Sequence, residues 1–160
     1  MQKIDIQKNK GFSIVEILVA LFVITVALSA LLGLAAFSLK ITNTLKETQQ
    51  AGNFAQELME ITRNFRDGTS WSTNGLGTLN TGADYHLQQS GSPAVWQFFP
   101  GSETESIFSR KIVFNTVSRD SNGNIVGSGG TLDPNTKKAT VTVLWKDKKI
   151  ELVSYFTNWK

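Results

Sequence analysis

The residue with the sharpest chemical demand is Glu16, the one charged side chain between Phe12 and Leu39. An acid inside a membrane-length apolar run costs about 2.5–3.5 kcal/mol on insertion scales, so it calls for a partner that uses its charge. A place in the first turn of a helix helps by about 0.3–1 kcal/mol through the helix dipole, which explains tolerance but not the site. Other chemistry-bearing residues are sparse. His86 is the only histidine, which excludes multi-histidine metal sites and leaves any Ser-His-Asp arrangement without a nucleophile-elbow motif. There is no cysteine, so disulfides, thiolate metal sites and a cysteine nucleophile are excluded. The run DSNGN at 120–124 has oxygen ligands at alternate positions and a glycine, but it lacks the closing acid of an EF-hand loop. It reads as a turn. No catalysis and no cofactor or metal are expected.

The elements that must position Glu16 begin with residues 1–10, MQKIDIQKNK, a polar stretch with Lys3, Lys8 and Lys10 against Asp5. Residues 17–39 are then 23 consecutive uncharged residues. As a helix they span about 34 Å, enough for a bilayer core of about 30 Å. The lysines ahead of this span keep the N-terminus cytoplasmic and put the rest of the chain outside the membrane. Beyond it, Phe37, Ile41, Leu45, Phe54, Leu58, Ile61 and Phe65 recur at helical steps, and no proline occurs before Pro93. One helix over 12–66 is predicted, membrane-spanning at first and amphipathic afterwards.

Residues 67–84 are rich in Gly, Ser, Thr and Asn without periodicity and read as a loop. Strand-like runs follow at 85–89, 94–99 and 107–117, then a turn at 121–124. In 139–145 Val141, Val143 and Trp145 share a face, and Ile150, Leu152, Ser154 and Phe156 alternate beyond the KDKK turn. A C-terminal hairpin is predicted. A few antiparallel strands cannot stand alone, so the apolar stripe of the helix covers one sheet face. The fold class is α+β, a long N-terminal helix packed on a small antiparallel sheet. The expected division is 1–11, 12–39, 40–66 and 67–160. Net charge is +3, but the 16 Lys and Arg are scattered, and no nucleic-acid contact is expected.

The segment KGFSIVEILVAL at 10–21 resembles the cleavage and assembly motif of type IV prepilins, type II secretion pseudopilins and competence pilins. The resemblance implies a leader of residues 1–11, cut after Gly11 by a prepilin peptidase. Phe12 becomes an N-methylated amino terminus, and Glu16 pairs with the terminal amino group of a neighbouring subunit. Glycine suits the cleavage site because a backbone without Cβ enters a protease cleft unobstructed. Two ordinary alternatives fit less well. A secretory signal has an apolar core of about 7–15 residues and no acid at its start. A plain anchor needs neither Gly11, Phe12 nor Glu16. Thr25, Ser29 and Gly33 form a small-residue stripe compatible with either reading.

Residues 108–120 and 139–159 resemble PilV-type minor pilins and related pseudopilins more loosely. The leading expectation is a minor pilin, a structural subunit of a type IV pilus or related filament. Its partners are the peptidase, other pilin subunits, the inner-membrane assembly platform and, before assembly, lipid. A type II secretion pseudopilin is the nearest alternative, and a membrane-anchored extracellular binding domain that never polymerises is the alternative of another class. Trp71, Trp96 and Trp159 read either as core or as exposed partner contacts.

Overall fold

The computed structural model describes residues 11–159. The chain forms two compact units, Met1–Lys46 and Glu47–Lys160. A single helix, α1 (Ile14–Gly68), contributes to both. It starts and ends two residues later than the sequence predicts. Gly11, Phe12 and Ser13 precede it, and the Ser13 carbonyl accepts the Glu16 and Ile17 amides at 3.0 and 3.2 Å. At the other end the Thr69 hydroxyl donates back to the Phe65 carbonyl at 2.7 Å, occupying an acceptor that the helix leaves open.

Among the described residues nothing covers the apolar residues of α1 in the first unit. Its 18-residue window of mean hydropathy 2.8 is 0% buried. By length and composition this segment can cross a membrane. Two of its hydroxyls are satisfied inside the helix: Thr25 donates to the Leu21 carbonyl at 2.6 Å and Ser29 to the Thr25 carbonyl at 2.8 Å. Such back-bonding removes the penalty of a bare hydroxyl in hydrocarbon. Phe37, Ile41 and Leu45, which the periodicity assigns to the stripe against the sheet, are instead 62%, 42% and 63% exposed.

The second unit holds an antiparallel sheet. Its strands are β1 (Asp84–Ser90), β2 (Val95–Pro100), β3 (Glu103–Glu105), β4 (Phe108–Arg119), β5 (Ile125–Val126), β6 (Thr131–Trp145) and β7 (Lys148–Thr157). Their order is β2-β1-β4-β6-β7, with β3 and β5 also paired to β4. The KDKK hairpin forms as expected: Trp145 pairs with Lys148, and Lys146 takes the left-handed conformation that so tight a turn demands, with φ 51.

One face of the sheet meets α1. Ile112 and Phe114 of β4 and Ala139, Val141 and Val143 of β6 are fully buried there, with Trp145 and Phe156 nearly so. The helix answers with Ala51, Ala55, Leu58, Met59 and Thr62. Two of these are small alanines one turn apart, which a search for large apolar residues overlooks. Phe54, Ile61 and Phe65 flank the contact, Phe54 edge-on to Phe108 and Phe65 edge-on to Phe98 at centroid distances of 5.3 and 4.9 Å.

Three features depart from the sequence reading. β6 starts at Thr131, well before residue 139, because its first half pairs across an irregularity: Thr116 faces Lys137, whereas Val117 faces Asp133. Pro134, with no N–H to give a ladder, lies in the skipped stretch. The short strands β3 and β5 carry no alternation long enough to read. The 67–84 loop is also not a loose connection. It contains a 3₁₀ turn, Leu76–Thr78, with Leu76 fully buried, and Lys137 donates from beneath to the Gly77 and Leu79 carbonyls.

Candidate functional site

The start of α1 brings two of the sequence-predicted residues to one place, Glu16 in its first turn and Phe12 just ahead of it. Phe12, Glu16, Ala20 and Ile24 are spaced by four, and Ile17 and Leu21 adjoin them. Together these six line a shallow groove of about 380 Å³, onto which both Phe12 and Glu16 open. Phe12 is 80% exposed. Among the described residues no hydrogen bond or ion pair engages the Glu16 carboxylate. What the groove offers is therefore an acid ringed by apolar surface. Such an acid is poised to pair with a cation brought by another molecule, and the pairing strengthens as water is excluded.

Gly11 stands just ahead of this face. A Cβ built there meets nothing within 4 Å, so no packing inside the described chain demands glycine. The rest of the expected leader, residues 1–10, lies outside the described residues.

The other chemistry-bearing residues do not converge. Among the described residues no group of three His, Cys, Asp or Glu could hold a metal ion. His86 lies on β1 opposite Phe99, its ring 6.0 Å from the phenyl centroid, without a nucleophile or acid arranged on it. The 120–124 segment is a closed turn. Asp120 accepts the Asn122 and Asn124 amides at 2.9 and 2.8 Å and the Asn124 side-chain amide at 3.2 Å. These bonds, the backbone one from Asn124 foremost, hold the Asp120 carboxyl below its ordinary pKa. They use the acceptor sites that a cation would need.

A second gathering of charge lies at the sheet and is structural. Arg110, on the inward face of β4, is reached by Glu57 of α1 at 3.0 Å, Glu103 of β3 at 2.8 Å and Glu105 at 3.9 Å, and it stacks 5.2 Å from the Phe54 centroid. Burial works against its charge, yet Glu103 and Glu57 outweigh it and raise the pKa. Sequence reasoning missed this cluster because Arg110 and Glu57 are 53 residues apart.

Compared with known protein families, residues 6–32 match the one described as the prokaryotic N-terminal methylation motif. The match takes in Gly11, Phe12 and Glu16. No curated protein and no solved structure matches the chain.

Proposed function

We propose that this type IV pilin-like chain, which carries the N-terminal methylation motif, is a minor structural subunit of a type IV pilus or related filament. A prepilin peptidase cuts after Gly11, and Phe12 becomes the N-methylated amino terminus. Before assembly residues 12–39 anchor the chain in the inner membrane, with the leader of residues 1–11 cytoplasmic. Residues 40–66 and 67–160 form the exported domain. In the filament the Glu16 carboxylate pairs with the Phe12 amino group of a neighbouring subunit, and the inner-membrane platform drives the addition.

The observation that carries this reading is the groove shared by Phe12 and Glu16 at the start of a helix whose apolar N-terminal half finds no cover among the described residues. An anchor would need the apolar length alone. An acid one turn below a prospective amino terminus gives an incoming subunit both a charge to neutralise and a fixed axial register. That Gly11 is free of packing demands supports its being read by another protein. The motif implies the same processing and assembly partners.

Replacing Glu16 by Gln tests the pairing, because it keeps shape and removes charge. The amide is less costly in the bilayer than the ion, so poor insertion cannot explain a defect. Processing should stay near normal, while incorporation into sheared filaments, followed by immunoblot, falls severalfold or more. Wild-type incorporation of Glu16→Gln would refute the pairing.

A further inference from the structure

A cleft of about 410 Å³ lies where the C-terminal end of α1 meets residues 69–72 and the end of β7. It is separate from the groove at Glu16 and borders the core at Leu76. Trp159, on its rim, is 63% exposed, with its ring 5.8 Å from the Arg66 guanidinium carbon. Trp71 is held in place: its indole N–H donates to the Pro134 carbonyl at 3.2 Å, and a Cβ at Gly77 would meet its ring at 2.6 Å. Beside Arg66, Gly68 and the buried Leu76, the lining carries uncharged polar side chains, with Ser70, Thr157 and Asn158 prominent. Among the described residues the Ser70 and Thr157 hydroxyls donate no hydrogen bond.

Charge narrows the choice of ligand. Among the described residues Arg66 is the only charged one in the lining, and its guanidinium is already occupied. Asp67 neutralises it at 2.8 Å, and it also lies over the Phe156 ring at 5.6 Å. A phosphate or carboxylate would find no unpaired cation among the described lining residues. A purely apolar ligand would cover the hydroxyls without satisfying them. A ligand with an apolar face to lay on an indole and a rim of neutral donors and acceptors meets both conditions.

We infer that this cleft binds a neutral saccharide. The C–H face of a pyranose stacks on Trp159, and Ser70, Thr157 and Asn158 pair with its hydroxyls, Trp71 forming the rigid wall. The volume admits about one or two rings. The inference does not rest on the filament reading, since every lining residue belongs to the second unit.

The test uses the full chain in a detergent without a sugar headgroup, because an alkyl glycoside would compete. Saturation-transfer NMR is run against methyl glycosides of glucose, galactose, mannose and the two common N-acetylhexosamines, with lactose and chitobiose. Glucuronate and sialic acid serve as charged controls. At least one neutral sugar should receive saturation, and Trp159→Ala should weaken that ligand by at least about tenfold. Trp159→Phe should retain most of the affinity. Thr157→Val should lower it with the tryptophan fluorescence melt unchanged, which guards against loss of fold. Binding of no neutral sugar, preference for the charged controls, or undiminished binding by Trp159→Ala would overturn the inference.

Discussion

Replacing Arg110 by Met keeps most of the buried stem and removes the charge that ties α1 to β3 and β4. The two hydrogen-bonded pairs, to Glu57 and Glu103, involve carboxylates that are 50% and 35% exposed. Each is therefore worth about 0.5–1 kcal/mol, well below the value of a fully buried pair. Loss of the stacking over Phe54 adds about 0.5–1 kcal/mol. The expected total is about 1.5–3 kcal/mol, or a fall in Tm of about 6–12 °C for a unit of this size. All four tryptophans, Trp71, Trp96, Trp145 and Trp159, lie in the second unit. Their fluorescence therefore follows its unfolding in the full detergent-solubilised chain. A loss under about 0.5 kcal/mol would show that the cluster's charges do not hold these elements together.

Two further perturbations probe the sheet and the folded loop. Asp133 accepts from Arg119 at 2.7 Å, and this bond, with help from Thr136, lowers its pKa. A carboxyl with a lowered folded pKa stabilises above its unfolded value of about 3.9 and loses that contribution as pH falls. Wild type should therefore exceed Asp133→Asn in urea midpoint at pH 6, and the difference should close as pH falls below that unfolded value; a constant difference would contradict it. Gly77→Ala places a Cβ against the Trp71 carbonyl and ring. Overpacking of this kind costs about 1–3 kcal/mol, and an unchanged tryptophan melt would mean the loop is free to shift away.

The parts of the fold legible in the sequence were those whose signal is local. The uncharged run over 17–39, the alternation in 139–145 and 150–156, and the KDKK turn each carry a period or a turn residue within a few positions. They led to the helix, the hairpin and the α+β class. What escaped is set by distant partners. Residues 69–79 look featureless, yet buried Leu76 and the Lys137 clamp order them, and neither is visible in Gly- and Ser-rich composition. The first half of β6 is disguised by Pro134 and its irregular register. The helix stripe holds at Leu58, with Phe54, Ile61 and Phe65 packed beside it, but Phe37, Ile41 and Leu45 are exposed, and the small Ala51 and Ala55 that share the buried face carry no signal for a search of large apolar residues. At the candidate site Gly11, Phe12 and Glu16 were readable because the motif is contiguous. The Trp159 cleft was not, since it joins residues from three separate stretches of chain.

The central claim, that this chain is processed into a filament subunit, is tested most directly by mass spectrometry of the native protein from cells with active prepilin peptidase. The predicted mature chain begins at Phe12 and carries an N-methyl group on it. A chain still beginning at Met1, or one cut within residues 30–36 after the apolar run, would contradict the account and leave an ordinary anchor or a secretory signal in its place.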